Sequence, residues 1–94
     1  MKIREVIQIL DKPLLSGDSE QRISGVVSDS RSILPGMVFV CISGARFDGH
    51  EFIEEAIQRG AVLIIAERVI QVREPIGLLQ VESSRDALAT LAHH

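Results

Sequence analysis

The sequence predicts a small single α/β domain in which helices flank a mixed, mostly buried sheet. Three observations carry this. Apolar runs bounded by turn residues recur at 37–42, 61–66 and 77–81, as strands covered on both faces require. Helical periodicity appears between these runs and near both ends. The chain has 94 residues, enough for one domain and not for two. With three Phe, no Trp and no Tyr, its core must be built from Val, Ile, Leu and Ala.

In chain order, Ile3, Val6, Ile7 and Leu10 follow the i, i+3, i+4, i+7 stripe of an amphipathic helix. Asp11-Lys12-Pro13 ends it, because proline disfavours helical backbone in the residue before it. Residues 16–20 read as a polar loop. Residues 22–28 read as a strand weakened by Gly25, and Asp29-Ser30-Arg31-Ser32 then breaks the apolar pattern. Leu34-Pro35-Gly36 is a turn signal, and 37–42 follows as a strand. After a Gly-containing loop over 43–49, Asp48 with Glu51 three residues on has the spacing of a capping-box variant. It heads a helix over about 50–59 with Phe52, Ile53, Ala56 and Ile57 inward, stopped by Gly60. Strands over 61–66 and 77–81 lead to a last helix, capped by Ser83 or Ser84, with Ala87, Leu88 and Leu91 as its stripe. The predicted order is helix, strand, strand, helix, strand, strand, helix. The 37–66 unit is long enough for a right-handed parallel crossover. The last helical pattern is still running at His94, which leads to the expectation of a longer parent protein.

Composition excludes several function classes. A net charge of −3 argues against sequence-independent nucleic-acid binding, which needs a dense positive field. Any phosphate site must be built locally, from backbone N–H groups and one or two Arg. Cys41 is the only cysteine, so an intrachain disulfide and a cysteine metal cage are both excluded. The N-terminus lacks the apolar core of a signal peptide. No apolar run approaches the roughly 20 residues needed to cross a bilayer, so a cytoplasmic location without membrane insertion is the expectation.

The sequence holds no Gly-x-x-x-x-Gly-Lys-Ser/Thr phosphate loop, no Gly-x-Gly-x-x-Gly and no His-Glu-x-x-His. His93 and His94 are adjacent, point in different directions on a helix, and read as polar residues near a chain end. His50, at a helix start, reads as a surface residue, with a ligand contact as the alternative. Cys41 reads as a buried, inert thiol. No catalytic residue and no metal ligand is assigned. Phe39 and Phe52 fit core positions; Phe47 does not, and stands where it can pack down or stack on a planar ligand. Two loops remain, 28–31 and 43–49. If their strands are neighbours, both open at one sheet edge. There glycines let backbone approach a ligand, serines offer short hydrogen bonds and arginines can meet a diphosphate. The alternative is a local turn made by Ser28 and Ser30, with solvated arginines.

The same segments resemble the N-terminal domain of the Mur ligase family. Ile23 to Arg31 resembles its Asp-Ser-Arg segment. Leu34-Pro35-Gly36-Met37-Val38-Phe39-Val40 resembles its Pro-Gly-Asp-Leu-Phe-Val turn and strand, with Met37 in place of the acidic residue. Gly44-Ala45-Arg46-Phe47-Asp48-Gly49-His50, followed by Phe52-Ile53, resembles its Gly-x-x-x-Asp-Gly-His loop. Gly60-Ala61-Val62 and Val81 to Leu88 resemble later junctions. The likeness spans nearly the whole chain in order. Ser28-Asp29-Ser30-Arg31 and Ser83-Ser84-Arg85-Asp86-Ala87-Leu88 bring it nearer the MurE type than the MurF type.

The resemblance implies that residues 1–94 form an N-terminal substrate domain. It would hold the UDP part of UDP-N-acetylmuramoyl-L-alanyl-D-glutamate for a peptidoglycan-building amino-acid ligase. It implies Ser30 and then Ser28 as substrate contacts, with Ala45, Arg46 and Phe47 as the variable contact triplet. Asp48, Gly49 and His50 are implied to shape the loop, and Arg31 to pair with a carboxylate or carbonyl. The family reaction uses ATP and magnesium through an acyl-phosphate, in a central ATP-binding domain that follows. These 94 residues are therefore expected to hold no cofactor and to be inactive alone. A MurF-type ligase, a stand-alone small-molecule-binding or regulatory module of the same fold, and a plain interaction domain are the alternatives.

Overall fold

Pleating decides the layers. Along β3 (Met37–Val40) and just beyond it, Val38 and Val40 turn to one face of the sheet while Phe39 and Cys41 turn to the other. The structure is a computed structural model describing residues 1–44 and 46–94. Helix α1 (Ile3–Leu10) is followed by β1 (Leu14–Ser16), β2 (Gly25–Val27), a 3₁₀ turn (Ser30–Ser32) and β3. A second 3₁₀ turn (Gly49–Phe52) runs into α2 (Ile53–Gln58). Then come β4 (Leu63–Ala66), β5 (Gly77–Gln80) and α3 (Ser84–Ala92). The sheet order is β1-β5-β4-β3-β2. Strands β2 to β5 are parallel neighbours and β1 runs antiparallel to β5, so the sheet is mixed as predicted.

One face is covered by α1 and α3. Ile3, Val6, Ala87 and Leu91 pack there on Val38, Val40, Leu63, Ile65 and Leu79. On the other face, Ile53 and Ala56 of α2 and Ile33 pack on Phe39, Cys41, Ile64 and Ala66. Two buried faces explain why β3 and β4 are apolar without alternation.

Local chemistry sets the ends. Pro35 and Gly36 (φ 91°) make a type II turn closed by the Met37 N–H on the Leu34 carbonyl at 3.2 Å. Gly60 (φ 105°) stops α2, with its N–H on the Ile57 carbonyl and the Ala61 N–H on the Ala56 carbonyl, both at 3.0 Å. Ser83, not Ser84, caps α3 by accepting from the Asp86 N–H at 3.2 Å.

Four expectations need correction. Leu14–Ser16 is a fifth strand, missing from the predicted order. The strand expected over 22–28 is only Gly25–Val27. The helix expected from about 50 begins as a 3₁₀ turn and becomes α-helical at Ile53. Asp48 does not head a capping box with Glu51; its carboxylate accepts the His50 N–H two residues on, at 3.0 Å.

Candidate functional site

The segment after β2 is shaped by Asp29. Its Oδ1 accepts from the Arg31 backbone N–H at 2.9 Å and from Arg31 Nε at 3.1 Å, and its Oδ2 from Arg31 Nη2 at 3.0 Å. The local turn is therefore built by Asp29, not by Ser28 and Ser30. The side-chain hydrogen bonds from Arg31, then its backbone N–H, hold the Asp29 carboxyl below the usual carboxylate range. The same contact raises the Arg31 guanidinium. Arg31 thus pairs with the Asp29 carboxylate. The turn buries Ser30, whose hydroxyl donates to Glu55 Oε2 on α2 across a long 3.4 Å. Ser28 stays exposed.

The loop after β3 is shaped by Asp48. Its Oδ1 accepts from the His50 N–H at 3.0 Å, from the Ser43 hydroxyl at 3.1 Å, and sits 2.6 Å from His50 Nδ1. Its Oδ2 accepts from Arg68 Nη2 at 2.7 Å. The His50 backbone N–H, then Arg68, then the His50 ring and Ser43 push its carboxyl far below the ordinary range. His50 is buried, with its side chain 3% exposed, so its reading as a surface residue is corrected. Burial is affordable because both ring nitrogens are engaged: Nε2 lies 3.0 Å from the Glu67 N–H. Gly49 sits where a Cβ would come within 2.6 Å of the Ile42 nitrogen, so only glycine lets the loop lie this close to the chain leaving β3.

Because β2 and β3 are parallel neighbours, both loops leave the same end of the sheet. Between them lies a cleft of about 510 Å³, lined by Ser28, Asp29, Ser30, Arg31, Ile42, Phe47, Gly49, Phe52 and Glu55. That volume suits a small organic ligand. Phe47 is 67% exposed, and its ring lies 6.4 Å from that of Phe52 at a tilt of 57°. The pair gives the cleft an aromatic lining in addition to the polar Ser28–Arg31 segment.

The structure thus brings Ser28, Ser30, Arg31, Phe47 and Gly49 to one cleft. Asp48 and His50 stand behind the loop, and Arg46 is exposed and outside the lining. Ala45 lies outside the described residues. Sequence reasoning missed Ile42 and Glu55, and placed Phe52 in the core alone. Glu55 sits four residues before Arg59, which it also binds at 3.1 Å; only the packing of α2 on the Ser30 turn reveals that it faces the cleft. Cys41, behind the loop, is pushed up to about 12 by burial first and the charge of Asp48 second, which leaves a protonated thiol. Among the described residues no cluster of three His, Cys, Asp or Glu side chains could hold a metal ion, and no helix is long and apolar enough to cross a membrane.

Comparison with known proteins agrees with this geometry. The family described as "Mur ligase family, catalytic domain" matches residues 22–94. A UDP-N-acetylmuramoyl-L-alanyl-D-glutamate--2,6-diaminopimelate ligase from Syntrophomonas wolfei is 44% identical over 92 residues, 98% of this chain and 19% of the relative. A ligase of the same name from Listeria innocua is 40% identical over 96 residues, covering 100% of this chain and 19% of its own length. Among solved structures, MurF from Acinetobacter baumannii superposes with a TM-score of 0.81 at 27% identity, over 96% of this chain and 20% of that one. MurF ligase from Thermotoga maritima in complex with ADP gives a TM-score of 0.62 at 46% identity, over 77% and 16%. The chain spans about a fifth of the length of the curated relatives it matches. On sequence and fold together, it belongs to the Mur ligase family.

Proposed function

We propose that residues 1–94 are the N-terminal substrate domain of a MurE-type ligase. They bind the UDP part of UDP-N-acetylmuramoyl-L-alanyl-D-glutamate in the cytoplasm. The observation that carries this reading is the cleft: it joins Ser28 and Ser30 to Phe47 between two loops, with both a polar and an aromatic lining. A planar base can lie against Phe47 and Phe52 while serine hydroxyls take its polar edge. Arg31 reaches the rim but is shared with Asp29, so a diphosphate there would compete for it. The relatives' names supply the substrate, since they act on UDP-N-acetylmuramoyl-L-alanyl-D-glutamate.

The residues present do not fit ATP or magnesium. The sequence has no phosphate loop, and the described residues have no acidic cluster suited to a metal. ATP, magnesium and the central ATP-binding domain that would partner this one belong to the remainder of a full-length ligase. The 94 residues alone should not catalyse. A MurF-type parent is the second reading, favoured by the two MurF structures. The full-length protein separates them by the unit it adds, a diaminopimelate-type amino acid or a dipeptide.

The test is an amide NMR titration of the 94-residue chain with UDP-N-acetylmuramoyl-L-alanyl-D-glutamate and with UDP alone. Saturable shifts confined to residues 28–31 and 44–52 are expected. Ser30→Ala should weaken binding by about threefold to tenfold, the worth of one net hydrogen bond. It should change stability little, because the bond to Glu55 is long. No shift at millimolar ligand, or unaltered affinity in Ser30→Ala, would contradict the assignment.

A further inference from the structure

The loop that carries Phe47 is closed from within by two backbone bonds. The Gly44 N–H donates to the Phe47 carbonyl at 2.7 Å and the Gly49 N–H to the Ile42 carbonyl at 2.9 Å. It is also held from outside, by Arg85 of α3 on the Ser43 carbonyl at 3.2 Å and by the chain leaving β4. Arg68 binds Asp48, and the Glu67 N–H binds His50 Nε2. A backbone N–H can only donate, so Nε2 must be bare and Nδ1 must carry the ring proton of the neutral side chain. Nδ1 lies 2.6 Å from Asp48 Oδ1, an acceptor, which agrees. The imidazole is therefore bonded at both ends in one tautomer. Beyond it, Glu67 Oε2 accepts the Ser84 N–H at the start of α3 at 2.8 Å, so β4, α3 and the loop are joined in one run of bonds.

We propose that His50 is a positioning residue for the cleft: its Nδ1–H tautomer ties the Phe47 loop to the end of β4 and so fixes the aromatic wall where a ligand packs. This rests on the reading of the cleft as a nucleotide site. The acceptor half of the ring carries the effect. If Nδ1–H were lost, Asp48 would keep the His50 N–H, Arg68 and Ser43 as donors. If Nε2 were lost, the loop would lose its bond to the Glu67 backbone just past β4.

Three substitutions in the 94-residue chain separate the two halves from simple bulk. His50→Gln places an amide oxygen near the Nε2 position, His50→Asn keeps only a donor near Nδ1, and His50→Leu keeps volume without polar atoms. Hydrogen exchange at the Gly44 and Gly49 amides reads the loop without ligand, and titration with UDP reads the cleft. His50→Leu and His50→Asn should speed exchange and weaken UDP binding by about threefold to tenfold, while His50→Gln stays within about twofold of wild type. The ring ¹⁵N spectrum of the wild type should show a protonated Nδ1 and a bare Nε2. The proposal is overturned if His50→Leu matches wild type, if His50→Gln is as impaired as His50→Asn, or if the neutral ring carries its proton on Nε2. Should His50→Leu fail to fold, the contrast between His50→Gln and His50→Asn decides. A wild type that ignores UDP would sink the nucleotide reading, and the exchange rates would still decide the tether.

Discussion

Cys41 and His50 are both buried behind the same loop, yet their chemistry differs because their partners differ. Cys41 lies among apolar residues on the α2 face, where burial and then the charge of Asp48 disfavour a thiolate and outweigh the opposing pull of Arg68. Burial pushes the thiol up to about 12, so at pH 8 almost none is ionised. Alkylation with iodoacetamide at pH 8 should leave the folded chain unmodified and label it fully in denaturant; rapid labelling of the folded protein would refute this burial. The apolar run around Cys41 made its fate legible in the sequence. That of His50 was not legible, because its burial depends on Glu67, seventeen positions later. The only local signal is Asp48 two residues before it, whose spacing to Glu51 reads as a helix cap and not as a ring partner. Glu55 shows the same limit: its place at the cleft depends on how α2 meets the Ser30 turn.

Element by element, legibility followed the strength of local periodicity. β3, β4, β5 and α3 stand out because burial on one or two faces writes a long apolar pattern. β1 was missed since three residues after Pro13 carry too little alternation, and what makes them a strand is their pairing with β5. The end of β3 and the 3₁₀ turn after it meet through Gly49, whose position in the Asp-Gly-His run was readable while its tight approach to Ile42 was not. A methyl group there would stand 2.6 Å from the Ile42 nitrogen and 2.9 Å from its carbonyl oxygen, both backbone atoms that cannot rotate away. Gly49→Ala should therefore lower stability by about 1–3 kcal/mol, the range for overpacking. It should also displace the Phe47 loop. Denaturant unfolding gives the first effect, and shifted Ile42 and Phe47 amides give the second. A variant as stable as wild type, with unmoved amides, would show that the chain yields there without cost.

At the scale of the molecule, the parallel order β2-β3-β4-β5 sends every connection after a strand to one end of the sheet, and the carboxylates that shape those connections gather there. Asp29 is lowered mainly by Arg31, and Asp48 mainly by the His50 N–H and Arg68. Both bind protons less readily folded than unfolded. Their contribution is therefore fully present above the ordinary carboxylate range, near pH 3.9 by the usual reference, and is lost as pH falls below it toward the folded values. Glu54 has the opposite sign: its hydrogen bond with Glu74 raises it, so its contribution is present at low pH and fades as pH rises through its folded value. Because the two effects oppose each other, the denaturation midpoint alone does not isolate Asp48. Its carboxyl carbon shift should titrate well below that of an ordinary Asp, and Arg68→Ala should move that titration to higher pH and make the acid loss of stability below about pH 4 shallower. An Asp48 that titrates like a solvated carboxylate, or an Arg68→Ala variant with unchanged acid sensitivity, would mean that Arg68 does not hold Asp48 in solution. The outer grip on the Phe47 loop would then rest on the bond between His50 and the chain leaving β4 and on Arg85 of α3, which donates to the Ser43 carbonyl at 3.2 Å.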